Sequence, residues 1–167
     1  MKRARISFTT LAVLLAAGLW APAAASDEEK IEQVVAAVIE AFRTGDYAAM
    51  GRYYDPQCTV VSANYSPPVE GWSEVEQRYK AQHASLTGAE MVRENTKITR
   101  RGKVAWVTYQ WRFAGVAGPQ TFGLEGHTTL VLEKQKGRWL IVHNHTSALP
   151  ATPVRTQSSA APSPPSP

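Results

Sequence analysis

The stretch that decides the fold is GHTTLVLEKQKGRWLIVHNHTSAL, residues 126–149. Two runs of alternating apolar and polar residues flank a Lys-Gln-Lys-Gly segment, a pattern typical of a β-hairpin. Because strand side chains alternate between two faces, the second run is expected to place four residues on one face: Trp139, Ile141, His143 and His145. The sequence therefore predicts an antiparallel hairpin here.

Upstream of the hairpin, apolar residues recur at helical spacing. Residues 31–42 carry one continuous apolar stripe at i, i+3, i+4 and i+7 positions. Ser26 followed by Glu29 is a capping box, and Gly45 supplies a C-terminal stop. The sequence therefore predicts a long amphipathic helix that begins after Ser26.

Two shorter helices are predicted to follow. Asp46 can cap one that includes Tyr54 and ends before Pro56. Ser73 followed by Glu76 is a second capping box, which indicates that a third helix begins there.

After Gly88 the period of the apolar pattern changes from 3.6 to 2. Helices followed by a strand meander indicate the α+β class, with helices on the concave face of a curved antiparallel sheet. The predicted strands are residues 59–63, 91–99, 104–113, 121–133 and 139–147.

The first 25 residues have the three parts of a secretory signal peptide: a basic start, an apolar run over residues 11–20, and Ala-Ala-Ala as a cleavage site. The run is shorter than the roughly 20 residues that a membrane span needs. We therefore expect residues 1–25 to be a signal peptide and the protein to be periplasmic or secreted, with no stable membrane span after cleavage. Residues 26–149 would form the domain.

Residues 150–167 are rich in Pro, Ser and Ala and contain one Arg. Such a segment cannot bury enough apolar surface to offset its ordering entropy, so we predict a disordered tail.

The basic excess of the chain belongs largely to the predicted signal peptide. The chain has 18 Lys and Arg against 14 Asp and Glu, and three of the basic residues lie in the signal peptide, so cleavage leaves 15 against 14, a net charge of +1. No nucleic-acid surface is indicated. The single cysteine, Cys58, cannot form an intramolecular disulfide and is interpreted as a small buried hydrophobe. No cofactor is indicated.

Three passages carry a resemblance to a known family: TGDYAAMGRYYDPQCTVV, VEGWSEVEQRY and GRWLIVHNHTS. Over residues 28–149 the chain resembles the SnoaL-like branch of the nuclear transport factor 2-like superfamily. The terminal strand is also similar to that of the calcium/calmodulin-dependent kinase association domain. The resemblance implies a cystatin-like cone with an apolar cavity, and dimers through the outer sheet face. Relatives catalyse isomerisation, dehydration, cyclisation or epoxide hydrolysis, or serve as scaffolds, so the fold alone says little about chemistry.

The steroid isomerase mechanism of this fold does not fit the sequence. It needs a carboxylate base, a tyrosine and a protonated acid. The resemblance places these roles at Ser62, Val38 and near Thr129, none of which has the required chemistry. We therefore expect that mechanism to be absent.

A dehydratase-like or isomerase-like site remains as an alternative. It would use His127 as acid/base, with Glu125 on the same strand face orienting the ring and with hydroxyls from Tyr54, Tyr79 and Tyr109. The competing interpretation is that His127 is a surface or hydrogen-bonded strand residue.

Three histidines could in principle form a zinc site, since His143 and His145 share a predicted strand face and His127 lies on the neighbouring strand. Convergence depends on a strand register that the sequence does not fix. Packing beside Trp139 or at a subunit interface is the favoured interpretation, and no metal is predicted.

The leading hypothesis is an exported homodimeric domain that binds a small, mainly apolar molecule in its cone cavity. The alternatives are the His127 enzyme and a module for oligomerisation or partner binding. Asn64 is expected to hydrogen-bond a ligand. The residues expected to line the cavity are Tyr54, Trp72, Tyr79, Gln110, His127 and Asn144.

Overall fold

The computed structural model describes residues 25–62, 65–84 and 86–149. Nearly all of the predicted signal peptide and the whole predicted tail lie outside the described residues. Among the helices that are described, none combines the length and the apolar character that crossing a membrane requires.

The first helix, α1, spans Asp27–Thr44, as the apolar stripe predicts. The capping box is present: the Glu29 amide donates to the Ser26 hydroxyl, and the Ser26 amide donates to the Glu29 carboxylate. Gly45 closes the helix with its amide donating to the carbonyl groups of the last turn. Four residues of the stripe are buried, and the remaining two, Ile39 and Phe42, line a cavity described below.

The second and third helices begin and end differently from the prediction. Asp46 caps α2 (Tyr47–Gly51), as predicted, but Tyr54 already belongs to the first strand. The third helix, α3, spans Trp72–His83, and its N-cap is Gly71, without a side-chain cap. The prediction that a capping box at Ser73 begins the third helix is therefore wrong. The reason is that Gly71 adopts a positive φ of 82° and its amide donates to the Cys58 carbonyl, which starts the helix ahead of Ser73.

A single mixed sheet of six strands forms in the part of the chain that the structure describes, in the order β2-β1-β6-β5-β4-β3. The neighbours are antiparallel except β1 and β6, which are parallel. The curved sheet is antiparallel, as predicted, except at this pair. A long connection through α3 and the meander separates the two strands, and it returns the chain in the same direction. The strands are β1 (Tyr54–Ser62), β2 (Val69–Glu70), β3 (Leu86–Arg101), β4 (Val104–Ala117), β5 (Gln120–Gln135) and β6 (Arg138–Ala148).

The β5–β6 hairpin is confirmed. Gln135 pairs with Arg138, and the two residues between them, Lys136 and Gly137, both have positive φ angles, 48° and 82°. This is the backbone of a tight primed turn, which matches the right-handed twist of the strands that it joins.

A β-bulge changes the faces of β6. Leu132 pairs with Ile141 while its neighbour Val131 pairs with His143, so Val142 is an extra residue on β6. Beyond a bulge the alternation of side chains is shifted by one. The predicted single face of Trp139, Ile141, His143 and His145 is therefore wrong: the first two face inward and the two histidines face outward.

The helices pack on one face of the sheet, here called the inner face, and the opposite face is the outer face. Strand β4 shows the division most clearly, since buried and exposed residues alternate along it. Ala105, Val107, Tyr109, Trp111 and Phe113 are buried on the inner face. Cys58 is also fully buried, as predicted, and burial raises the pKa of its thiol to about 11.

Candidate functional site

A cavity of about 500 Å³ lies between the helices and the inner face of the sheet. Its wall is mostly apolar, because α1 contributes aliphatic and aromatic side chains from one side and the long strands contribute aromatics from the other. Val38, Phe42, Met91, Trp111, Phe113 and Phe122 are among the residues that form this wall. A cavity of this size and character suits a small, mainly apolar molecule.

A polar chain of side chains lies along one side of the cavity. Asn144 Nδ2 donates to the Tyr54 hydroxyl at 3.0 Å, and the Thr146 hydroxyl donates to Asn144 Oδ1, also at 3.0 Å. The Thr146 and Thr128 hydroxyl oxygens are 2.8 Å apart. All four residues line the cavity. Asn144 and Thr128 are buried, so the network satisfies polar groups that water does not reach.

The polar groups that line the cavity are neutral. Among the described lining residues there is no Asp, Glu, Lys, Arg or His. Burial raises the pKa of Tyr54 and of Tyr79 above the usual tyrosine value, and it raises the pKa of Tyr109 to about 12. These phenols therefore stay protonated at neutral pH, where they can donate hydrogen bonds but cannot act as bases.

Trp111, another residue of the cavity wall, carries a buried donor. Its side chain lies over Gly126 on the neighbouring strand, where any Cβ would overlap the indole. The indole Nε1 is buried and has no hydrogen-bond partner among the described residues. A buried donor without a partner is uncommon in folded proteins.

The structure brings some of the predicted site residues together at this cavity. Tyr54, Tyr79 and Asn144 line it. Trp72 is not among the lining residues: its ring packs at a tilt against the ring of Tyr54, with centroids 4.8 Å apart, and its indole lies against Gly51. Trp72 thus packs against Tyr54, which lines the cavity, on the side away from the cavity. Asn64 lies outside the described residues.

The expectation that Gln110 and His127 line the cavity is wrong. They pair across β4 and β5 on the outer face, where the Gln110 amide and His127 Nε2 are 3.2 Å apart. The reason is the parity of β4, whose buried, inner residues are the odd-numbered ones, so that Gln110 and its partner point away from the helices. Here they border a second, smaller pocket together with Glu125 and Arg112.

The other two histidines of the hairpin also lie on the outer face. His143 Nδ1 is 2.6 Å from the Thr59 hydroxyl, and His145 is exposed. In the described ranges no three His, Cys, Asp or Glu side chains form a group that could hold a metal ion.

One histidine that sequence reasoning did not select lies closer to the cavity wall. The ring of His83 packs on Phe42, with centroids 4.8 Å apart, and its Nδ1 contacts the Tyr47 hydroxyl. Its Nε2 is buried without a partner among the described residues, and burial lowers the pKa of the ring. His83 at the end of α3 is therefore held mainly in its neutral form.

Thr128 and Thr146 were also missed. Thr128 could have been selected because it lies two and four residues before Leu130 and Leu132 and therefore shares the strand face on which both are fully buried. Thr146 has no such signal, since its face depends on the bulge at Val142.

Comparison with known proteins agrees with this architecture. The family model of the SnoaL-like domain matches residues 31–152. A nuclear transport factor 2-like superfamily protein from Salmonella enterica serovar Typhimurium has a TM-score of 0.69 and 19% identity, covering 77% of this chain and 95% of that chain. A ketosteroid isomerase-like protein from Erwinia carotovora atroseptica has a TM-score of 0.64 and 16% identity, covering 73% and 95%.

A protein of unknown function with a cystatin-like fold, from Nostoc punctiforme, has a TM-score of 0.62 and 15% identity, covering 76% of this chain and 94% of that chain. At these identities the likeness concerns the fold alone. No curated protein matches the chain. The family model covers well over half of the chain, and the protein therefore belongs to the SnoaL-like domain family, with a nuclear transport factor 2-like α+β cone fold.

Proposed function

We propose that this protein is an exported binding domain that holds a small, neutral, mainly apolar molecule in its cone cavity. The observation that carries the proposal is the composition of the cavity wall. About 500 Å³ of space is lined by aliphatic and aromatic side chains, with only neutral hydroxyl, amide and indole groups between them. Apolar surface removed from water would supply the affinity, and the few polar groups would orient the ligand.

The binding proposal is favoured over an isomerase or dehydratase because of the position of His127. Acid/base catalysis needs a titratable group within hydrogen-bond reach of the reacting atom. The imidazole of His127 is on the outer face beside Gln110, and the tyrosines of the cavity stay protonated at neutral pH. The described cavity wall therefore has no evident base.

Blocking the cavity tests the proposal. Ala117 lines the cavity on β4, whereas Ala114 on the same strand is exposed on the outer face. Intrinsic tryptophan fluorescence of the wild type would first select a ligand from a metabolite library. Titration calorimetry should then show that Ala117→Phe weakens binding at least tenfold while Ala114→Phe binds like the wild type. Equal affinity of both variants would place the ligand elsewhere and contradict the proposal.

We infer that the biological unit is a homodimer formed through the outer face. Trp106 and Val104 are 38% and 39% exposed there, on β4, and Val131 of the neighbouring β5 lies directly beside Trp106. Exposed aromatic and aliphatic groups on a sheet face are typical of an interface. Light scattering after size-exclusion chromatography should give a dimer for the wild type and a monomer for Trp106→Glu. A wild-type monomer at micromolar concentration would contradict this inference.

Export is proposed from the sequence pattern of residues 1–25. Mass spectrometry of protein recovered from the periplasm or the medium should find Ser26 as the first residue. Full-length protein retained in the cell would contradict this proposal.

A further inference from the structure

We propose that His143 and His145 form one half of a zinc site on the outer face, and that the same two histidines of a second copy of the chain complete it. The site rests on the proposed homodimer and adds the ion and the residues that join its two copies. It follows from the register of β6, which places the two imidazoles on one face beyond the bulge at Val142.

The two histidines leave the sheet on the same side. They are two residues apart on a strand, so their Cα atoms lie about 6.8 Å apart and both side chains point away from the helices. Asn144 between them points the other way and lines the cavity. Two imidazoles at this spacing can turn their ring nitrogens toward one ion, which zinc binds at about 2.0–2.1 Å.

Thr59 holds the ring of His143 in a way that suits a metal ligand. Its hydroxyl oxygen is 2.6 Å from His143 Nδ1, and the two residues are paired across β1 and β6. Histidines that bind a metal usually donate their other ring N–H to an oxygen acceptor, which fixes the tautomer and the orientation of the ring. Donation from Nδ1 to Thr59 leaves Nε2 of His143 with a lone pair for the ion.

The surroundings of the pair are compatible with a divalent cation. His145 is exposed and His143 is partly buried. The positions directly beside the pair on β1 and β5 hold only threonine and valine, namely Thr59, Val61, Thr129 and Val131. A cation bound by the two rings therefore meets no positive charge at these positions.

One chain supplies only part of a zinc coordination shell. Structural zinc sites are almost always tetrahedral, with four ligands. In the ranges that the structure describes, no third His, Cys, Asp or Glu joins His143 and His145 in a group that could hold a metal ion. A twofold axis beside β6 would bring the same pair from a second copy against the first, and the four imidazoles would complete the shell.

The position of the pair on the outer face favours a second copy as the source of the missing ligands. Val131 pairs with His143 on one side and with Trp106 on the other, so the backbones of His143 and Trp106 are about 10 Å apart. In a twofold dimer each copy presents the same patch to the other. The histidine pair and the exposed Trp106 therefore belong to one continuous surface of the proposed interface.

Zinc titration of untagged protein, treated with a chelator beforehand, tests the site. Calorimetry should give one zinc ion for two chains. Light scattering of dilute protein should show that zinc lowers the dissociation constant of the dimer at least tenfold, because the ion binds the dimer better than the monomer. Magnesium prefers oxygen ligands and should do neither. Cobalt in place of zinc should give the strong visible absorption of tetrahedral coordination.

His145→Gln is the decisive variant because the residue is exposed, so its replacement should leave the fold intact. Zinc should then neither bind tightly nor tighten the dimer, and His143→Gln should behave in the same way. His127→Gln is the matched control on the same face, since His127 Nε2 lies 3.2 Å from the Gln110 amide, and it should match the wild type. Trp106→Glu keeps both histidines but separates the copies, so it should also lose tight zinc binding.

The outcomes distinguish the zinc site from the dimer on which it rests. A wild-type dimer that takes up no zinc, or one ion per chain without tightening, overturns the site and leaves the homodimer standing. Equal zinc binding by the wild type and His145→Gln also overturns the site. A wild-type protein that is monomeric both with and without zinc overturns the site and the dimer together.

Discussion

Asn144 on β6 and Tyr54 on β1 meet across the parallel pair of strands, where the amide nitrogen of Asn144 donates to the phenol oxygen at 3.0 Å. The two residues are 90 positions apart in the chain, and both are buried. This contact connects the first strand of the sheet to the last at the wall of the cavity. Because the Tyr54 oxygen accepts this bond, the hydrogen of its own hydroxyl group points away from Asn144.

Replacing Asn144 should destabilise the fold. Asn144→Leu leaves the Thr146 and Tyr54 hydroxyls without their partner in a site that is 6% exposed, so we expect the free energy of unfolding to fall by about 1–3 kcal/mol. Urea denaturation followed by circular dichroism measures the change. His145→Leu, an exposed neighbour on the outer face, should change stability by less than about 0.5 kcal/mol. Similar losses for the two variants would refute the role of the contact.

Gly126 is expected to tolerate no side chain. A Cβ there would overlap both the Trp111 indole and the backbone carbonyl oxygen of Ser147, and the backbone atom cannot move away cheaply. Gly126→Ala should therefore cost roughly 1–3 kcal/mol in the free energy of unfolding. Gly123→Ala on the same strand meets nothing within 4 Å and serves as the control, with little change expected in the same denaturation experiment. A Gly126→Ala protein as stable as the control would contradict this packing.

The contact between Asp27 and Lys134 predicts a dependence of stability on acid pH. The ammonium of Lys134 is 2.6 Å from the Asp27 carboxylate, and its hydrogen bond lowers the pKa of Asp27 in the folded protein. A depressed folded-state pKa adds stability above the unfolded value, about 3.9, and that stability is lost as the pH falls through the folded pKa. The melting temperatures of wild type and Asp27→Asn should therefore converge at low pH.

The control for Asp27 is Glu28→Gln, which removes an exposed acid from the same helical turn. Its melting temperature relative to the wild type should vary less between pH 6 and pH 2 than that of Asp27→Asn. A constant gap between wild type and Asp27→Asn across this range would show that the ion pair does not contribute.

His83 predicts a second, milder pH effect in a higher range. Burial lowers the pKa of its ring, so the unfolded chain takes up a proton at a higher pH than the folded protein does. Stability should decline as the pH falls below about 6.5, where the unfolded ring becomes charged. His83→Gln should show a smaller decline between pH 7 and pH 5 in thermal melts, whereas His145→Gln on the outer face should follow the wild type. A His83→Gln curve parallel to the wild type would contradict the assignment.

The features that sequence reasoning predicted correctly are local ones. The capping box of Ser26 and Glu29 and the turn at Gly137 depend on residues a few positions apart, whose chemistry can be read directly. The change to period two after Gly88 likewise predicts the strand over residues 104–113, which the structure contains within β4. Local rules therefore give most of the helices and strands.

The features that were wrong depend on contacts distant in sequence. The parallel pairing of β1 with β6 follows from the path of the whole chain, and nothing near Tyr54 signals it. The outward position of His127 follows from its pairing with Gln110, which the hairpin sequence alone does not fix. Of the candidate site, the tyrosines could be predicted from local patterns, whereas the inward positions of Asn144, which was expected to line the cavity, and of Thr146, which was not, both depend on the bulge at Val142.

The extra residue at Val142 determines which side chains at the end of β6 face the cavity. If Val142 were paired regularly with Val131, every later residue of β6 would slip by one partner and turn to the opposite face of the sheet. The imidazoles of His143 and His145 would then point into the cavity, and the carboxamide of Asn144 would point to solvent. A cavity that now offers only uncharged groups would gain ionisable ones without any substitution, so its chemistry is set as much by strand register as by residue choice.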